Sequence, residues 1–404
     1  MKKNILLLAL LSSLLLLTAC GGGNSSSDTT SDKDADSSDI EGSILPSNNA
    51  DYMSSYENSK TSIYINYDNL PITGHYLHDA IAYLDAEGDG DIDVFMGTGE
   101  WLLDGEVDSV FSINDGTDNF HASTSEFSDN MPPATHARKT LVSDFNGDGL
   151  KDMLILDHGY DSDPFPGSHA KLIIQDTLGK FSWTKLPEIG FYHSGAAGDI
   201  DNDGDIDIFM TDATPFFYIN NGNATFTNNK VIFDNSEQVS IAELIDVDQD
   251  GFLDLLTGDN ERYGVNTSIY WGSSTGKYSS SKRTILPVSS PMGALSSFHA
   301  EDIDGDGDRD LVINRTRDGD DGNGLVYGVG RTTQLLSNNG DRIFTDITST
   351  NIDNPGGDTD EWFPWLRVQD FDGDGDIDIR PDNARLGFEY NNDGTGNFTK
   401  VFLD

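Results

Sequence analysis

The stretch Asp302-Ile303-Asp304-Gly305-Asp306-Gly307-Asp308-Arg309-Asp310-Leu311-Val312-Ile313 sets carboxylates at its first, third, fifth and ninth positions, a glycine at its sixth, and an apolar run after the ninth. The same phrase occurs six times along the 404-residue chain. The other copies are Asp85, Glu87, Asp89 and Asp93; Asp144, Asn146, Asp148 and Asp152; Asp199, Asp201, Asp203 and Asp207; Asp246, Asp248, Asp250 and Asp254; and Asp370, Asp372, Asp374 and Asp378. Successive starts lie 59, 55, 47, 56 and 68 residues apart (144−85, 199−144, 246−199, 302−246, 370−302), the scale of a propeller blade or a large solenoid repeat.

A second phrase follows each loop: a short apolar strand, a turn of Asn, Asp and Gly, then an aromatic residue. Tyr218-Ile219-Asn220-Asn221-Gly222 leads to Phe226, and Leu335-Leu336-Ser337-Asn338-Asn339-Gly340 leads to Phe344; the others reach Phe120, Phe181, Tyr278 and Phe398. Asn-Gly and Asp-Gly between apolar residues are hairpin signals. Each unit therefore reads as four antiparallel strands, which is one blade. The expected fold is an all-β propeller of six four-stranded blades, with seven as the alternative. The strand at 399–403 completes the last blade, unless Ile63-Tyr64-Ile65 takes that place and locks the ring by strand exchange.

Oxygens at positions one, three and five, with a glycine at six for a sharp turn, are the start of a calcium loop. An EF-hand needs glutamate at position twelve, where this chain has Met96, Ile155, Met210, Thr257, Ile313 and Pro381. The ninth position is acidic instead, and a β-rich run follows. Two carboxylates about 4 Å apart repel by about 4 kcal/mol at an effective dielectric of 20, so loops of this kind close around a cation. Hard oxygen donors on a flexible loop favour calcium over zinc or octahedral magnesium. Up to six calcium sites are expected, with all 24 residues of the six phrases as candidate ligands, and Asn146 weakens the second.

With these residues in hand, the chain resembles bacterial VCBS/FG-GAP repeat proteins, relatives of the integrin α-type propeller, from about Ser62 to Asp404. The resemblance implies calcium-bearing Asp loops and a propeller. It implies no particular activity, because this architecture hosts lectins, adhesion modules and some lyases.

The N-terminus reads differently. Lys2 and Lys3 precede an apolar run that ends in Leu17-Thr18-Ala19-Cys20, a layout of signal-peptide length. It resembles the lipobox of bacterial lipoproteins, which makes Cys20, the only cysteine, the lipidated residue. Residues 1–20 are thus read as a lipoprotein signal peptide, 21–59 as a Gly/Ser/Asp linker with a reach of about 35 Å, and 60–404 as the propeller. The expected location is the outer membrane of a bacterium, through the lipid anchor alone. A formal net charge of −46 excludes nucleic acid and anionic lipid surfaces as partners. With one cysteine there is no intrachain disulfide, and metal takes over the stabilising role. A monomer is expected.

In such a propeller the Asp loops share one face, and the irregular loops share the other. His78, His136, His193 and His299 come just before the first strands, with Trp362 and Trp365 in the sixth unit; Arg138, His158, Tyr160 and Arg315 lie nearby. These ten residues are the possible ligand face. The recurrent histidines either pin neighbouring blades or line an axial pocket for an anionic sugar or second metal. No G-x-S-x-G, H-E-x-x-H or P-loop occurs, so catalytic residues are not assigned. The leading expectation is a binding or adhesion module for a glycan or protein. The alternatives are a lyase-like enzyme acting on a polysaccharide through His and Arg, and an envelope scaffold.

Overall fold

A computed structural model describes residues 64–65, 67, 70–71, 80–99, 105–117, 119–128, 130–160, 163–229, 239–259, 265–287, 292–317, 319–320, 325–326 and 330–403. All lie within one compact unit, Asn48–Asp404. Cys20, His78 and the expected signal peptide and linker fall outside the described residues.

Six four-stranded antiparallel sheets follow one another along the chain, each from consecutive sequence. Blade one is β1 (Ala80–Leu84), β2 (Asp93–Gly97), β4 (Val110–Asn114) and β5 (Phe120–Ser123). A two-residue strand, β3 (Val107–Asp108), pairs with β6 (Pro133–Ala134) and ties it to the next blade. Blade two is β7 (Ala137–Ser143), β8 (Asp152–Asp157), β9 (Ser168–Gln175) and β10 (Phe181–Gly190). Blade three is β11 (Gly195–Gly198), β12 (Asp207–Met210), β13 (Phe216–Asn220) and β14 (Phe226–Asn229). Blade four is β15 (Ile241–Ile245), β16 (Asp254–Gly258), β17 (Ser268–Tyr270) and β18 (Arg283–Ile285). Blade five is β19 (Ala294–Glu301), β20 (Asp310–Thr316), β23 (Thr332–Asn338) and β24 (Phe344–Asp346), with a small hairpin of β21 (Gly319–Asp320) and β22 (Leu325–Val326) between its second and third strands. Blade six is β25 (Leu366–Gln369), β26 (Asp378–Pro381), β27 (Phe388–Asn392) and β28 (Phe398–Phe402). The expected six-bladed propeller is the fold, and no seventh sheet of this kind occurs among the described residues.

From blade one to blade six, the first strands of successive blades touch one another and so line the centre. Their sequences suit crowding there: Ala80 and Ala82, Ala137, the run Gly195-Ala196-Ala197-Gly198, Ala242 and Ala294. Small side chains let backbones converge where larger ones would clash. Larger apolar side chains sit farther out and fill the seams. Phe95 and Phe111 of blade one meet Phe127 and Phe181 with ring centroids 5.4–6.3 Å apart. Five separate apolar clusters fill the five seams from blades one and two to blades five and six.

The sixth seam is built otherwise. Tyr67 and Leu70, from the segment ahead of blade one, pack on Ile81, Tyr83, Val94 and Met96 of that blade. The Tyr67 hydroxyl donates to the Asp382 carboxylate just after β26, and Tyr83 reaches the same carboxylate at 3.2 Å. Arg367 of β25 is fully buried, pairs with Asp382 and lies 4.9 Å from the Tyr83 ring. The Ala384 N–H donates to the Ile65 carbonyl at 2.9 Å. Tyr64 and Ile65 lie in no strand, and all four strands of blade six come from 366–402. The ring is therefore closed by a polar clasp rather than by strand exchange.

Candidate cation loops and an aromatic–histidine platform

Each Asp loop joins the first and second strands of its blade, and the six share one geometry. The first aspartate accepts the N–H of the sixth-position glycine at 2.7–3.1 Å. The fifth accepts the N–H of the seventh residue at 2.9–3.0 Å. The sixth-position glycines hold φ between 86° and 99°, where a side chain would be strained. In the third to sixth loops, the first, third and fifth carboxylates each offer an oxygen within 4.8 Å of the others: Asp199, Asp201 and Asp203; Asp246, Asp248 and Asp250; Asp302, Asp304 and Asp306; Asp370, Asp372 and Asp374. The first loop carries Asp85, Glu87 and Asp89, with Glu87 pushed up to about 7 by burial and then by its Asp93 and Asp89 neighbours. In the second loop the Asn146 amide donates to Asp148 at 3.0 Å, an uncharged link in place of a third carboxylate beside Asp144.

The ninth aspartates do a second job. In all six loops one oxygen accepts the N–H of the loop's second residue, at 2.9–3.3 Å. The other accepts the N–H at the end of the third strand, at 2.7–2.9 Å, from Asn114, Gln175, Asn220, Gly272, Asn338 and Asn392. Asp93, Asp152, Asp207, Asp254, Asp310 and Asp378 thus each cross-link three strands from a buried position. Burial raises all of them, against the two N–H bonds: Asp152, Asp207 and Asp310 to about 7, and Asp254 to about 8. The side-chain amides of Gln175, Asn220 and Asn392 reach back to the loop of the preceding blade, donating to the carbonyls of Ala86, Phe145 and Ile303 at 2.7–2.8 Å. A hard cation fits the donor set, since clustered carboxylate oxygens on a tight loop are the ligands such an ion takes.

The expected ligand face is only partly brought together. His136, Arg138, His158 and His193 assemble where blades two and three meet. The His158 ring lies 4.7 Å from His136 and 4.6 Å from His193. Arg138 Nη1 donates to His136 Nε2 at 3.2 Å, and the His158 Nδ1–H donates to the Gly159 carbonyl at 3.1 Å. Burial, then Arg138 and His158, pushes His136 down to about 3. Burial and the same neighbours hold His193 well below the imidazole range. Beneath them is Asp157, buried and paired with Lys171, which accepts the N–H groups of Thr135, His136 and Gly159 at 2.9–3.0 Å. Burial alone would raise Asp157, but Lys171 and these donors hold its carboxyl below the usual range.

Two aromatic residues complete this platform. Phe191 lies 3.5 Å from the His158 ring centroid and 5.1 Å from that of His193. Phe165 stands edge-on to Phe191 at 5.8 Å, is 54% exposed, and sits at φ 55°. A bulky residue in the left-handed region is a strained one, held by its surroundings. Those surroundings include Gly159 and Gly167: a Cβ on the first would lie 2.4 Å from the Gly167 carbonyl carbon, and one on the second 2.6 Å from the Gly190 oxygen. Tyr160 is half-buried in the same loop.

The remaining members lie elsewhere. Arg315 is fully buried, donating to Gln334 at 2.6 Å and to Thr267 of blade four at 3.2 Å. His299 is buried within β19. The Trp362 Nε1–H donates to Ser296 at 3.1 Å. Trp365 lies 5.6 Å from the Lys139 ammonium. That ammonium runs from blade two to the Glu243 carboxylate of blade four at 2.6 Å, with the Gly195 carbonyl of blade three at 2.8 Å. Both partners are buried. An ion pair joining three first strands occupies the centre at this level, where an open axial pocket lined by His and Arg was one expectation.

The family model for the FG-GAP-like repeat matches residues 144–210, 199–257 and 246–313. Residues 144–313 carry FG-GAP-like repeats. Each matched segment runs from one Asp loop through the second strand of the following blade. The same loop geometry extends beyond them, to the first and sixth blades. No curated protein sequence matches the chain. Among solved structures, an Agrocybe aegerita lectin, described as recognising non-reducing terminal N-acetylglucosamine, is 19% identical, with TM-score 0.46 over 81% of each chain. The V. cholerae biofilm matrix protein Bap1 is 15% identical, with TM-score 0.41 over 76% of this chain and 43% of its own. BBS1N, in complex with ARL6DN, is 9% identical, with TM-score 0.38 over 85% of this chain and 97% of its own.

Two features of the FG-GAP-like units escape the sequence reading. The fourth loop position holds φ between 59° and 83° in every loop, where the residues are Gly88, Gly147, Asn202, Gln249, Gly305 and Gly373. The Asn or Gln before most hairpin turns was read as turn chemistry alone, yet its backbone secures the ninth aspartate. The recurrence of that residue was the available signal.

Proposed function

We propose that the protein is a calcium-loaded binding module, held to the outer membrane of a bacterium through lipid on Cys20, that takes a glycan on the platform between blades two and three. The observation that carries the glycan reading is Phe165: an exposed ring on strained backbone, backed by Phe191, on a platform whose histidines also hold the Arg138 guanidinium. An exposed aromatic face suits stacking on a sugar ring, and a guanidinium on the same platform suits a carboxylate that the sugar carries. Histidines held below their usual range are weak bases at neutral pH, which favours retention of a glycan over its cleavage. Calcium in the loops would fasten first strand to second and blade to blade, keeping the opposite loops in place.

Soluble protein lacking residues 1–20 should be retained on one or more acidic polysaccharides in calcium without cleaving them. Phe165→Ala and Arg138→Ala should each weaken retention about tenfold, a loss of about 1.4 kcal/mol. Retention unchanged in both variants would place the site elsewhere, and new unsaturated chain ends would make the protein a lyase. Cys20→Ser should release the protein from membranes; continued membrane fractionation would remove the lipid anchor from this reading.

A further inference from the structure

The residue two before each hairpin aromatic leans on the Asp loop of the preceding blade. In the five blades where it is described it always has positive φ: Gly179 at 71°, Ala224 at 57°, Gly276 at 58°, Arg342 at 59° and Gly396 at 74°. A Cβ on Gly179 would meet the Ala86 carbonyl of the first loop at 3.2 Å; on Gly276, Asp201 of the third at 2.9 Å; on Gly396, Asp304 of the fifth at 3.1 Å. Ala224 packs on the cluster that contains Phe145 of the second loop. The position favours glycine both for its backbone and for its space.

Blade five places an arginine there. Arg342 accepts the strained backbone, and its side chain turns into the fourth loop. Its Nη2 pairs with Asp248 and lies 3.3 Å from the Asp250 carboxylate, while the guanidinium stacks 4.4 Å from the centroid of the buried Trp271 ring. A second arginine of blade five, Arg309, donates to the Asp246 carbonyl at 2.9 Å. Asp248 and Asp250 are the third and fifth carboxylates of that loop, the oxygens a divalent ion would need.

We infer that the fourth loop is closed by the Arg342 guanidinium in place of a divalent cation. The fourth loop, where blade five leans on blade four, is thus independent of calcium, whereas its neighbours depend on it. The inference rests on the calcium reading of the other loops. A guanidinium carries one positive charge and its own planar donors, so it can satisfy two carboxylates without stripping the loop of water. Arg342 is 39% exposed, which leaves it room to be displaced only at the cost of the Trp271 stack and both ion pairs.

The test is the number of calcium ions bound per chain, by equilibrium dialysis of the purified protein and of Arg342→Gly. Glycine suits the backbone at this position, so the variant should fold. It should bind one more ion than the unaltered protein, and the added ion should be lost again in R342G/D248N. In chelator, R342G should melt below the unaltered protein, and calcium should restore it. Equal stoichiometry overturns the inference. If the equal number is not zero, the calcium reading of the other loops stands; if it is zero, that reading falls as well.

Discussion

Stripped of divalent cations, the protein should melt at a markedly lower temperature, and the loss should be larger at pH 8 than at pH 6.5. Each loop gathers carboxylates whose mutual repulsion at about 4 Å is worth about 4 kcal/mol per pair at an effective dielectric of 20. Beside them, a buried carboxyl in each loop gains proton affinity from its burial. This is the ninth aspartate: burial lifts Asp152, Asp207 and Asp310 to about 7 and Asp254 to about 8. A carboxyl raised above its unfolded value favours the folded state below that unfolded value, and the benefit is lost as pH rises through the folded one. Metal-free protein should therefore weaken steadily toward pH 8. His136 and His193 act the other way, since their depressed values cost stability as pH falls below about 6.5. Between 6.5 and 8 this opposing contribution is small and the same with or without calcium, so the difference between the two melting curves isolates the carboxylates. In calcium the protons of the ion-binding loops are displaced and this slope should flatten, leaving the share of Asp254, whose loop Arg342 closes. Melting curves in chelator and in calcium at the two pH values check both parts. Indifference to chelator at both would remove calcium from the structure, and sensitivity without a pH slope would remove the protonated loops.

Glu243→Ala should destabilise the protein by about 3–5 kcal/mol, the cost of leaving a buried charge without its partner. Lys139 is fully enclosed, and burial already pulls its proton affinity down against the pull of Glu243. With Glu243 gone it keeps no anion, only the neutral oxygens of Gly195, Ala242 and Ser194 at 2.8–3.4 Å and the Trp365 ring at 5.6 Å. Removing both charges, as K139M/E243L, should recover most of the loss, because a buried pair often contributes little beyond what a well-packed apolar pair of the same volume would. Denaturant unfolding of the three proteins measures this. A Glu243→Ala variant as stable as the parent would mean that the centre is wetter than the burial of Lys139 implies.

The blades were legible because their chemistry repeats in register. Six copies of one loop and six hairpin aromatics fix the number of sheets, the strand order and the face on which the carboxylates gather. What occurs once was not legible. Nothing marks Lys139 and Glu243 as partners, since they stand 104 residues apart and each looks like an ordinary surface residue. Arg315 and Arg138 looked alike in sequence, but one is packed between blades and the other stands at the platform, a difference set by neighbours from other blades. Phe191 carried no motif. Phe165 carried no motif either, and its exposure depends on glycines that close the loop beneath it. Arg342 could have been noticed, as an arginine where three other hairpins have glycine.

The clasp that shuts the ring bears on how the molecule is made. Every blade is assembled from neighbouring sequence, so a chain leaving the ribosome can complete five of them in turn. Tyr67 and Asp382 are 315 residues apart, and their contact must wait until the second strand of blade six has been synthesised. Contacts between such distant residues form slowly, because a long loop must be closed before they return any stability. Until then Tyr83 and the apolar edge of blade one face a missing neighbour. Substitutions at Tyr67, Arg367 or Asp382 therefore belong among those that reduce the yield of folded protein in the cell more than they lower the melting point of what survives.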